Sequence, residues 1–147
     1  MTLKIPVRAY AMFITVLLFI VCPSAFALIG ENTKQIETRY GKPIKIEAES
    51  GNFRDLDYAS HGFLIMVHFI EGISRIEAFG RPDKSNISSD AVRELLALSA
   101  DKDQTWRELP QKDGDRFWSR SDRGALAVFP AKGNFFFVQD PKLEDSQ

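Results

Sequence analysis

Two histidines, His61 and His68, and one cysteine, Cys22, are the side chains of this 147-residue chain best suited to metal or nucleophile chemistry. A zinc site takes three or four ligands, and neither histidine has a second His or Cys at a ligand spacing. A Ser-His-Asp hydrolase would carry its serine on a strained Gly-x-Ser-x-Gly turn, a motif the sequence lacks. Paired carboxylates of the glycosidase kind could be drawn from Asp55 and Asp57 or from Asp113 and Asp115. The first pair reads as solvated charge on one side of a strand. The second brackets Gly114 in a turn and lacks the order of acids that a calcium loop needs. The expectation is a protein that is not an enzyme, with no catalytic residue, no metal and no cofactor.

The composition sets the class. With 19 basic and 20 acidic side chains, net charge −1, 44% hydrophobic and 12% aromatic residues, the chain fits one globular domain. That balance argues against a disordered acidic tail and against a nucleic-acid partner. A single cysteine also excludes a disulfide framework.

The N-terminal stretch differs in kind. Lys4 and Arg8 precede an uncharged apolar run over residues 9–21, and Ala25-Phe26-Ala27 has the small-x-small form of a signal-peptidase site. Residues 1–27 therefore read as a signal peptide and residues 28–147 as one domain with a frayed polar tail. Export to the periplasm or the extracellular space follows, with no membrane contact once the signal is removed. A retained N-terminal anchor is the alternative, because residues 9–29 are free of charge over a length that can span a bilayer. Cleavage after Ala27 would leave 120 residues without a cysteine, held by their core alone.

The elements that must position any site follow from periodicity. Asn32 with Gln35 three residues on predicts a capping box, Ile36 and Tyr40 form one helical stripe, and Gly41-x-Pro43 ends the helix. Alternation over residues 44–49 predicts a half-buried strand, and further strands are expected at 53–60, 62–70 and 73–79. Residues 80–88 read as a loop, and Ser88 or Ser89 caps a second helix with Val92, Leu95 and Leu96 on its buried stripe. Strands at 105–109, 116–121, 125–129 and 135–139 complete the chain. The predicted fold class is α+β, with short helices packed on one face of an antiparallel sheet. A loose echo between the two halves suggests two tandem helix-plus-hairpin units.

Glu71-Gly72 offers a two-residue hairpin turn. If the pairing continues without interruption, Ile70 faces Ile73, His68 faces Arg75 and Met66 faces Glu77. Ile65, Val67, Phe69, Ile76 and Ala78 then share the core face, while Met66, His68, Arg75 and Glu77 share the wetter one. Phe135-Phe136-Phe137 cannot all point inward, because successive strand residues alternate. Either Phe136 or its two neighbours must face away. Met66, His68, Arg75, Glu77 and Phe136 are the expected partner-binding residues, since Arg, Met and aromatic side chains are enriched at protein interfaces.

The pattern Gly30-x-Asn32-x-x-Gln35-Ile36-x-x-x-Tyr40-Gly41-x-Pro43, with Phe69-x-x-Gly72 after it, resembles the small BamE/SmpA-like envelope domains over residues 30–79. Asn32 stands where those domains have Thr, and Tyr40 where they have Leu. The resemblance implies a fold shared with β-lactamase-inhibitor-protein-like domains, in which helix and hairpin units often occur in tandem. It also implies a non-catalytic protein-binding role in the cell envelope. The competing expectation is a secreted inhibitor of a hydrolase such as a lysozyme, a protease or a β-lactamase, acting through the loop at residues 80–86 or the turn at Asp113. Mass spectrometry of the exported protein is expected to find Leu28 at its N-terminus; an intact Met1, or a lipid on Cys22, would overturn the signal assignment.

Overall fold

In a computed structural model, residues 29–146 are described. The expected signal segment lies outside them. The chain runs α1 (Thr33–Tyr40), β1 (Lys45–Ser50), β2 (Phe53–Ser60), β3 (Phe63–Ile70), β4 (Ile73–Gly80), α2 (Ser89–Leu98), β5 (Trp106–Glu108), β6 (Arg116–Arg120), β7 (Leu126–Phe129), β8 (Phe135–Gln139) and a 3₁₀ turn at Pro141–Ser146. All eight strands form one antiparallel sheet in the order β1-β2-β3-β4-β8-β7-β6-β5. Among the described residues strand accounts for 43% and helix for 18%, so the fold is mainly β, which corrects the expected α+β class with its tandem helix-plus-hairpin units. The reason is the seam between the halves. β4 pairs directly with β8, Ala78 opposite Phe137 and Phe79 opposite Phe136, which fuses the two sets of strands into one continuous sheet.

Local chemistry places the elements. The Asn32 side chain accepts from the Gln35 N–H at 3.1 Å, and the Gln35 side chain accepts from the Asn32 N–H at 3.0 Å, completing the expected capping box of α1. Ser88 caps α2 by accepting from the Ala91 N–H at 3.2 Å. Glu71 and Gly72 both take positive φ (54° and 76°), the conformation a two-residue hairpin turn of matching twist requires. His61 and Gly62 repeat it between β2 and β3, so His61 is a turn residue.

One face of the sheet carries the core. Tyr58, Ile65, Val67, Phe69, Phe136 and Val138 meet Ile36 and Tyr40 of α1 and Val92, Leu95 and Leu96 of α2. Trp118 joins them and touches Phe136 at 6.4 Å between ring centroids. The edge strand β1 departs from its alternation: Ile46 is 57% exposed, although its register with Leu56 puts it on the core side. It stands beyond the reach of α1, whose Tyr40 packs on Tyr58 of β2 and bonds to Glu77 of β4.

The hairpin register holds only as far as Ser74. Phe69 pairs with Ser74, but His68 pairs with Ile76 and Met66 with Ala78, because Arg75 is an extra residue that forms a β-bulge. Beyond it every β4 side chain changes face. Glu77, expected on the wet face, is fully buried in the core, and Ile76 and Ala78, expected in the core, belong to the opposite face. The bulge has visible anchors on both sides. The Ser74 N–H donates to the Glu31 carbonyl at 2.8 Å, and its hydroxyl accepts from the N–H groups of Gly30 and Glu31. The Arg75 carbonyl accepts from the Asp140 N–H, and its guanidinium binds the Asp140 carboxylate at 2.6 Å.

Val67→Ala should cost about 1–3 kcal/mol through the cavity it leaves. Glu77→Ala should cost about 3 kcal/mol or more, because it strands the buried groups that Glu77 satisfies. Denaturant melts check both; a Glu77→Ala loss within about 0.5 kcal/mol, the usual exposed-site range, would mean that the bulge is wrong.

Candidate functional site

Alternation leaves the second face of the sheet without a covering element among the described residues. On it lie Asp55 and Asp57 of β2, Leu64, Met66 and His68 of β3, Ile76 and Ala78 of β4, and Phe135 and Phe137 of β8. Leu64, Met66 and Phe135 are 40%, 41% and 46% exposed, a high value for large apolar side chains in the middle strands of a sheet. They floor a groove of about 500 Å³, open to solvent on one side, within the size range of binding clefts. Gly80 matters here: a Cβ on it would lie 3.2 Å from the Phe135 ring, so its hydrogen lets that ring lean across β4.

The margins of the groove carry opposite charge. Toward β1 and β2, the Asp57 carboxyl shares a hydrogen bond with Glu47, whose other contact is the Lys45 ammonium at 2.5 Å. Partial burial, then the Glu47 partner, raises Asp57 above the ordinary carboxyl range, while the Lys45 bond holds Glu47 below it. At the other margin the loop leaving β4 brings Arg81 and Lys84 to the rim. The Arg81 guanidinium lies over the Phe63 ring at 4.3 Å and donates to the Gly62 carbonyl. Among the described residues neither Arg81 nor Lys84 pairs with a carboxylate within ion-pair distance. Asp83 between them spends its Oδ1 on the Ser85 N–H and hydroxyl.

The five expected partner-binding residues separate. Met66 and His68 are together on the open face, His68 bonded through Nδ1 to Asp55 and stacked on Phe53. Arg75 sits in the bulge and is held by Asp140. Glu77 and Phe136, both at 0% exposure, are core residues and cannot meet a partner. Of the two orientations open to the Phe135-Phe136-Phe137 run, the structure takes the one that turns the outer pair away from the core. Leu64 is a groove residue that the sequence reading passes over; Asp57 reads there as a solvated strand charge, Phe135 and Phe137 as one of two outward options and residues 80–86 as a loop, none of them joined to Met66. The period-two spacing of Leu64 with Met66 and of Phe135 with Phe137 was the available signal.

Glu77 instead organises a buried polar cluster beneath α1. The Tyr40 hydroxyl donates to its Oε2 at 2.6 Å, and Arg39 donates to its Oε1 at 3.3 Å while also pairing with Glu31. Burial raises the Glu77 carboxyl against the opposing pull of Arg39, and raises the Tyr40 phenol too. This cluster is closed off from the groove by the sheet itself. Among the described residues no group of three or more His, Cys, Asp or Glu side chains could hold a metal ion, and no helix is long and apolar enough to cross a membrane.

No protein-family model matches the sequence, and no curated protein is significantly similar to it. Among solved structures, a cysteine-rich secretory protein from Staphylococcus aureus subsp. aureus Mu50 superposes with a TM-score of 0.45 at 9% identity, over 78% of this chain and 45% of that one. The chain thus spans less than half the length of that neighbour, and at this score the likeness carries no argument.

Asp57 provides a test of the rim. Its raised value means that the folded protein favours the protonated acid, so its stabilising contribution is present at low pH and is lost as pH rises through its folded value. Asparagine imitates the protonated acid. Asp57→Asn should therefore leave the melting temperature almost unchanged near pH 3 and raise stability at pH 7, by up to about 0.5 kcal/mol; thermal melts at the two pH values check the sign.

Proposed function

We propose that the chain is an exported, non-catalytic protein-binding module of the cell envelope or periplasm, which meets its partner with the open face of the sheet. The observation that carries this reading is the uncovered apolar strip of Leu64, Met66, Phe135 and Phe137 along the central strands. Contiguous exposed apolar area rimmed by polar groups marks interaction surfaces, and Met and Phe are residues that interfaces favour. The apolar run and Ala-x-Ala site of residues 1–27 support export, and the resemblance of residues 30–79 to BamE/SmpA-like domains supports an envelope role. Within this reading Met66 and His68 keep their place at the interface, and Leu64, Phe135 and Phe137 join them. Arg75, Glu77 and Phe136 act through the fold.

Site-specific photo-cross-linking in the native host tests this directly. A photoreactive side chain at Phe135 or Met66 is expected to trap a discrete partner, and one at Glu71, in the distant hairpin turn, is expected not to. Cross-links confined to probes at Lys84 or Asp113 would shift the contact to the loops and favour the hydrolase-inhibitor reading.

A further inference from the structure

We infer that the groove selects a partner segment in which apolar side chains lie between one cationic and one anionic side chain. This rests on the protein-binding reading and adds the chemistry of the ligand. The floor supplies Leu64, Met66, Ala78, Phe135 and Phe137, which gain only by covering with apolar groups. The margins differ in sign. At the β1–β2 margin two carboxyls, Glu47 and Asp57, share one ammonium, that of Lys45, so the margin holds surplus negative charge when both are ionised. In the loop after β4, Arg81 and Lys84 have no carboxylate within ion-pair distance among the described residues; Asp83, which its Ser85 bonds and Arg81 keep ionised, offsets one of the two charges and leaves the loop net positive. Arg81 begins the rim, but its guanidinium lies over the ring of Phe63, a core residue, and donates to the Gly62 carbonyl, so Lys84 is the freer of the two cations toward the groove. A ligand that covers the floor therefore meets negative charge at one margin and positive charge at the other. A single-headed amphiphile could answer only one of them, whereas a peptide segment can answer both.

Charge complementarity at a rim sets selectivity more than raw affinity, so the test is a comparison. Full-length protein is titrated calorimetrically with three end-capped peptides that share the centre Leu-Ala-Phe-Ala-Leu. One carries Lys at one end and Glu at the other, one carries Lys at both ends, and one carries Glu at both. The mixed peptide is expected to bind about tenfold tighter than either control. Arg81→Glu with Lys84→Glu should transfer the preference to the Lys-Lys peptide. Because Arg81 packs on Phe63, Lys84→Glu alone serves as the milder variant and should move the preference the same way. Equal binding of the three peptides, a preference unmoved by Lys84→Glu, or no binding of any peptide would overturn the inference. Binding of laurate in place of every peptide would make the groove an amphiphile site and overturn it too. If cross-links from Phe135 persist while the peptides bind alike, the protein-binding reading stands and this one fails.

Discussion

The structure depends on a carboxylate that has nowhere to go. Glu77 lies in the core beneath α1, where an unpaired charge would cost several kcal/mol. It is tolerated because Tyr40 and Arg39, adjacent residues in the last turn of α1, both donate to it. The helix has only eight residues, too few to persist alone. Its capping box sets where it starts, and the bond network to Glu77 sets where its last turn must sit. The same residues that satisfy the buried acid therefore fix the helix on the sheet.

That arrangement requires the bulge at Arg75. Without the extra residue Glu77 would point to the open face, and Arg39 and Tyr40 would lose their acceptor. The bulge is held from one side by the backbone of residues 30 and 31 against Ser74, and from the other by Asp140 against Arg75. Segments from both ends of the described chain thus converge on one irregularity in β4. Its consequence reaches the groove: the same change of face that buries Glu77 brings Ala78, a small apolar residue, to the groove floor opposite Phe137. Burying an acid on one side and clearing an apolar floor on the other are two results of one added residue.

The open face is then a matter of unequal cover. Both helices contribute to the core on one side of the sheet, and the other side keeps its central apolar residues without a second layer among the described residues. A sheet whose two faces are both apolar at the centre has more apolar surface than its own helices can hide. Charges crowd the margins of the uncovered face instead of its middle, which confines the exposed apolar area to a groove with defined ends.

The amino-acid sequence by itself determined the list of elements. Both helices and all eight strands lie where capping residues, turn glycines and period-two alternation put them, because those signals are local and each is read over a few neighbouring residues. It also determined that Phe135, Phe136 and Phe137 split between two faces, since alternation allows nothing else. Only the tertiary structure decided which way they split, which residue of β4 is the extra one, and that β4 joins β8 to make a single mainly-β sheet. A hairpin register propagates from its turn with a period of two, so one inserted residue reverses every later side chain, and nothing local to Ser74 or Arg75 announces it. The bulge is stabilised by partners 43, 44 and 65 residues away in the chain. Contacts of that range leave no periodic trace in sequence, which is why Glu77 and Phe136 read as surface and fold as core.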